Sequence, residues 1–266
     1  MRIGKCPGCL KTKQLVSSHL VSRAIYDYLR TDDLHPIVAG GGRVRATTDQ
    51  LQDELLCQDC ERMLSDGGES WMVGKFCTVE RSFPLYDLLY QQTPIDTDAD
   101  GDIFAAGTNP AIDVQKISHF ALGIFWKASL HPWEFGEISL GPYGETTRTW
   151  LRGETAFPQN VALNVILSKP SGAQIMMNPP YLTTEQPCHT FLFHVPGVLF
   201  RLSVGNQIPV AEKTLCFYSS AEHFIVVSDT ITKKVLHANA KNFNESTKTK
   251  SYEKARAKQK KLTGKP

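Results

Sequence analysis

The chain has 266 residues, with 29 lysines and arginines against 27 aspartates and glutamates; its length allows one large core or two of ordinary size, and two are expected. No apolar run reaches membrane-spanning length, and Met1-Arg2-Ile3-Gly4-Lys5 lacks the apolar stretch of a secretory signal; the expectation is a soluble, cytoplasmic protein with no membrane partner. The formal net charge of +2 hides an asymmetry: eleven lysines and arginines in 233–266 face only Glu245 and Glu253, which makes that segment +9 and leaves about −7 for the rest.

In chain order, the first unit is expected over 1–75. Cys6-Pro-Gly-Cys9 opens it, with a glycine where the chain must turn tightly to aim two thiolates at one ion. Residues 14–20 read as a strand ending at His19, and Ser22 can cap a helix over 23–30 with Ala24, Ile25, Tyr28 and Leu29 on its apolar face. Residues 31–45, with His35-Pro36 and Gly40-Gly41-Gly42, read as a mobile loop. A returning strand is expected within 47–56, and Cys57-Gln-Asp-Cys60 opens a helix that Gly67-Gly68 should end. Two Cys-x-x-Cys pairs in a reducing compartment point to metal ligation, and Cys6, Cys9, Cys57 and Cys60 make a tetrahedral sulfur set suited to structural Zn2+. Cys77, Cys188 and Cys216 stand alone in apolar or mixed sequence and read as small buried hydrophobes.

Residues 76–112 are expected to connect, with a helix over 81–90. Asp96-Thr-Asp-Ala-Asp-Gly-Asp-Ile103 matches the first half of a calcium loop, but its twelfth position is Gly107 where a bidentate glutamate is needed, so an acidic turn is the better reading. A second unit is expected over 113–232. Ile117, Phe120, Ala121, Ile124, Phe125 and Ala128 recur at helical spacing and predict a core helix, followed by a helix over 145–152. Strands are then predicted over 161–167, 174–177, 190–195, 198–204, 214–218 and 224–227, with turns at Lys169-Pro-Ser-Gly172, Asn178-Pro-Pro180, Pro196-Gly197 and Gly205-Asn206. His189 and His194 fall on opposite faces of one strand and cannot share a metal; His119 and His131 read as structural. The fold class is therefore α+β, a zinc-stapled N-terminal domain followed by a helix-then-antiparallel-sheet domain and a basic C-terminal tail over 233–266.

The order Cys6-x-x-Cys9, Ser18-His19-Leu20-Val21, then Leu55-Leu56-Cys57-Gln-Asp-Cys60-Glu61 resembles the HNH, or His-Me finger, endonucleases over about residues 3–72, with a weaker echo at Phe125-Trp126-Lys127-Ala128-Ser129. The resemblance implies a ββα unit around one divalent cation, Mg2+ or Mn2+, with His19 as the general base that takes a proton from the attacking water, and DNA as the substrate. Glu61, Asp66 and Glu69 are hard oxygen donors suited to such a cation, with Glu61 and Glu69 its expected ligands, and a stand-alone nuclease of this kind would suit bacterial or phage defence. This chain departs from the family pattern in having Ser18 where a metal-binding Asp or His precedes the base, no Asn near Gln52 and Asp53, and Glu61 in place of His. Lys248, Lys250, Lys254, Arg256, Lys258, Lys260 and Lys261 are the expected grip on the nucleic-acid backbone. Two other readings stay open: a degenerate HNH-like zinc protein that binds nucleic acid without cutting it, and an adaptor whose second domain carries a protein partner.

Overall fold

The structure is a computed structural model that describes residues 2–30, 35–40, 42–134, 136–170, 176–183 and 187–263. It is mixed α and β, as the pattern of periods predicts. The first sheet is small: β1 (Ile3–Lys5) pairs with β2 (Thr12–His19), which pairs with β5 (Gln52–Cys57), all antiparallel. Between β2 and β5 come α1 (Arg23–Leu29), which Ser22 precedes without a side-chain cap bond, and two strands that the sequence reading missed. These are β3 (Ile37–Gly40) and β4 (Arg43–Ala46), an antiparallel hairpin where a loop is predicted; residues 31–34 and 41 of that predicted loop lie outside the described residues.

Helix α2 (Gln58–Leu64) does not end at Gly67-Gly68. It runs through a π-helical turn (Ser65–Glu69) into α3 (Ser70–Phe76). The glycines serve a different purpose from a stop: α5 (Val114–Ala128) crosses here so closely that a Cβ on Gly68 would lie 2.3 Å from the Lys116 carbonyl oxygen. A Cβ on Gly67 would strike the His119 ring at the same distance. Contact of this kind has room only for hydrogen on Cα, and the single π turn at this crossing lies within a helix that continues past it.

After α4 (Pro84–Leu89), β6 (Asp96–Thr97) and β7 (Asp102–Ala105) form a hairpin. Its turn is the acidic stretch. The Asp98 carboxylate accepts from the backbone N–H of Asp100 and Gly101, so its acid side chain closes a turn. Helix α6 (Tyr143–Leu151) follows α5. The remaining strands are β8 (Val161–Leu167), β9 (Asn178–Leu182), β10 (His189–Val195), β11 (Val198–Val204) and β12 (Phe224–Val227). Asn178-Pro179-Pro180 is thus strand where a turn is predicted, and the predicted strand at 174–177 lies partly outside the described residues. The predicted strand at 214–218 is instead the end of α7 (Val210–Thr214) and a turn whose Phe217 N–H reaches the Leu163 carbonyl.

The seven-stranded sheet has the order β6-β7-β12-β8-β11-β10-β9, antiparallel except for β12 on β8. Residues β8, β10 and β11 present inward pack on α5, whose residues from Ile117 to Ala128 are all buried. Phe76, Phe120, Phe193 and Phe200 continue ring to ring from α3 through α5 into β10 and β11, at centroid distances of 6.4, 6.1 and 5.8 Å around Phe120. One hydrophobic cluster therefore runs from Cys6 and Leu15 to Val227, across both predicted units.

The basic segment is folded too. Helix α8 (Asp229–Glu245), β13 (Thr247–Lys248) and α9 (Lys250–Thr263) return to the hairpin, and β13 adds in parallel to β4 to give a third sheet, β13-β4-β3. Val44 at its centre is fully buried, Tyr252 nearly so, and the Val44 carbonyl accepts from both the N–H and the hydroxyl of Thr249. Among the described residues no helix is long and apolar enough to cross a membrane.

Candidate functional site

The four cysteines of the two Cys-x-x-Cys pairs come together at the corner where β1 turns into β2 and β5 runs into α2. Their sulfurs all lie within 4.8 Å of one another, and among the described residues they are the group of three or more potential ligands so placed. The local geometry is built for sulfur. The Cys57 N–H points at the Cys6 sulfur at 3.3 Å, and a Cβ on Gly8 would stand 2.7 Å from the Cys60 sulfur. Burial opposes ionisation of Cys9, yet the Lys11 backbone N–H and hydrogen bonds from Cys57, Cys6 and Cys60 bring its thiol down to about 7. Burial, then repulsion from Cys6, pushes the Cys60 thiol up. Cys9 ionises readily while Cys57 and Cys60 resist, a conflict that a bound divalent cation would remove, so the donor set suits a structural metal ion. Arg148 on α6, held by Glu145, donates to the Gly8 carbonyl at 2.9 Å and ties this corner to the rest of the fold.

His19 is the last residue of β2, opposite Gln52. The ladder slips by one residue between Val16 and Ser17, and the buried phase of β2 changes there: Leu15 is buried before the slip, Ser18 and Leu20 after it. The extra residue is Leu55 on β5; past this bulge Ser18 is buried and His19 is half-buried at the strand end. Ser18 accepts from the Leu56 N–H at 3.0 Å and donates to the Val16 carbonyl, so its hydroxyl is spent within the sheet.

The carbonyl of His19 accepts a 2.7 Å hydrogen bond from the ammonium of Lys127, whose side chain is only 2% exposed. Glu69 lies 3.9 Å from the same ammonium. Lys127 was not singled out from sequence, although a signal existed: Phe120, Ile124 and Lys127 share a face by helical spacing, so a lysine is forced into an apolar stripe. His131, beyond α5, pairs with Asp53 at 3.2 Å, and Arg45 pairs with Glu134, so the end of α5 and the turn after it grip the first sheet and the hairpin at several points.

Because α2 continues unbroken through the π turn, Glu61, Ser65 and Glu69 line one small hollow, together with Gln58 and Arg62. One Glu61 carboxylate oxygen is buried without a hydrogen-bond partner; Asp66 is exposed. The structure thus brings Glu61 and Glu69 together but does not add His19 to the lining of that hollow, and the three do not form a tight ligand group. His119, buried, shares a hydrogen bond with the Leu151 carbonyl, and His194, fully buried, one with the Met176 carbonyl; both are structural.

Of the predicted backbone-gripping cations, Lys250, Lys254, Arg256, Lys258, Lys260 and Lys261 are exposed on α9. Lys248 is a correction: its ammonium turns back onto the carbonyls of Phe243, Asn244 and Ser246 at the C-terminus of α8, where a helix end attracts positive charge. No family model matches the chain, and neither does any curated protein or solved structure.

Proposed function

We propose that this chain is a metal-dependent endonuclease of the HNH type that hydrolyses phosphodiester bonds in DNA, with Zn2+ held by Cys6, Cys9, Cys57 and Cys60. The observation that carries the reading is the run β2–β5–α2: an antiparallel pair with a half-buried histidine at the end of its first strand, feeding directly into a helix that carries two carboxylates over one hollow. Glu61 and Glu69 would hold Mg2+ or Mn2+. The unpartnered Glu61 oxygen is suited to a hard cation, and magnesium needs only one or two protein carboxylates when it keeps its waters. Such an ion supplies stabilisation of the negative charge that gathers on the phosphate. His19 takes the proton of the attacking water, and Lys127 holds the backbone of that strand end while it does so. The exposed cations of α9 grip the backbone without reading sequence.

A second reading, a nucleic-acid-binding protein of the same fold that does not cut, is favoured by two observations: Ser18 is buried, and His19 lies outside the lining of the hollow. The two separate on supercoiled plasmid incubated with wild type, His19→Ala and Glu61→Gln in manganese, magnesium or EDTA, with zinc content measured on each. Metal-dependent nicking by wild type, lost in zinc-loaded His19→Ala, supports the nuclease. Zinc-loaded wild type that binds plasmid and never cuts it supports the second reading.

A further inference from the structure

A cleft of about 710 Å3 opens between the third sheet and the seven-stranded sheet. Its facing walls are the outer strands of the two sheets, β3 and β9, and it is closed by α8 and α9. Leu51 lies in its floor, and the Leu51 carbonyl accepts from the N–H of Leu20, so the cleft abuts the strand end that carries His19. The volume is that of a ligand site.

The lining is poor in positive charge. Among the described lining residues no lysine appears, Arg30 is bound by Asp27 at 2.9 Å, and Asp49 adds a further negative charge. Arg30, already paired, and His35 are all a phosphate backbone would meet inside. What the cleft offers instead is the thioethers of Met176 and Met177, the rings of Pro179 and Tyr181, and amides: Asn178 and Asn239 donate to each other at 2.9 Å across the wall, with Asn242 beside them. Flat apolar faces and paired amide donors and acceptors match the faces and edges of nucleobases. The cations stand outside: α9 turns Ala255 to the cleft while Lys254 and Arg256 are exposed next to it.

We propose that this cleft seats the unpaired bases of a single-stranded nucleic acid, with the phosphates left outside on α9. A duplex cannot use it, because its base faces are stacked and its pairing edges are taken. A peptide added as a strand to β9 is disfavoured because Pro179 and Pro180 have no N–H to offer along that edge. The proposal rests on the nucleic-acid reading above and narrows its substrate to strands with an unpaired segment.

The test is fluorescence anisotropy on the metal-loaded full chain with a labelled single strand of about 12 nucleotides and with its duplex. Ala238→Trp, at an exposed lining position of α8, fills the cleft, and Asn242→Asp, also exposed, charges it. The expected result is that wild type prefers the single strand by about tenfold or more, and that each variant loses about tenfold in single-strand affinity with duplex affinity and melting temperature unchanged. Equal affinity for duplex and single strand, variants that bind the single strand as wild type does, or no binding of either would overturn it. If wild type cuts plasmid while the cleft variants bind and cut unchanged, the nuclease survives and this proposal falls. If the variants lose single-strand binding and wild type cuts nothing, the cleft stands and the nuclease falls.

Discussion

The two small sheets solve one problem in opposite ways. Each has three short strands and too little core to stand alone. The first, β1-β2-β5, is closed by four sulfurs that meet at its corner. The third, β13-β4-β3, is closed by the chain itself, which returns from its far end to add β13 beside β4 and to lay Tyr252 of α9 against Phe243 at 5.6 Å. A metal crosslink is written in a few residues at fixed spacing. A returning strand is written nowhere near its partner.

The largest expected effect comes from breaking the first closure. Chelation of the zinc-loaded protein, or Cys60→Ser, should remove on the order of 10 kcal/mol of metal binding linked to folding. Hydrogen exchange should then accelerate through β1, β2 and β5 and leave β3, β4 and β13 protected. Uniform acceleration in both sheets would mean that they melt as one unit and that the contrast is false.

Truncation after Ser246 attacks the other closure. It removes the bonds from Thr247 to Gly42 and from Thr249 to Val44 and uncovers Val44, for a loss of about 3 kcal/mol in urea unfolding. Protection should fall at 37–46 with zinc content unchanged. Loss of zinc on truncation would show that the third sheet holds up the first.

Acid separates both small sheets from the large one. Burial lowers the His194 imidazole on β10 to about 4, the Met176 carbonyl opposing in part, and burial also lowers His119 on α5. The unfolded chain takes up these protons near 6.5 while the folded chain does not, so their contribution is whole above pH 6.5 and declines as pH falls towards 4, by up to about 3 kcal/mol for His194. His194→Asn, which keeps a donor for the Met176 carbonyl, should flatten the melting temperature over that window. An unchanged slope would rule His194 out as its source.

The smallest effect is expected at Lys13–Asp59, a 2.6 Å surface pair beside the cysteines. Each partner moves the other's titration, the Lys13 ammonium up and the Asp59 carboxyl down, but both are open to solvent. Lys13→Ala should leave melting temperature and zinc content as in wild type; a drop in either would make this pair a third support of the first sheet.

Sequence alone determined what is local. Cys-x-x-Cys spacing, the period of α5, the apolar runs of β10 and β11 with the Pro196-Gly197 turn between them, and the acidic turn at Asp98 depend on residues a few positions apart, and those features stand in the structure. Only the tertiary structure decided the rest. Gly67-Gly68 reads as a helix stop until α5 is seen crossing it; 31–45 reads as loop until β13 arrives; Asn178-Pro179-Pro180 reads as a turn until β10 pairs with it as an edge strand. Lys127 and Glu69, on separate elements, meet under His19 for the same reason. Propensity is set by neighbours along the chain, but a glycine's role, an edge strand and a buried charge are set by what packs against them, and that partner lies elsewhere in the sequence.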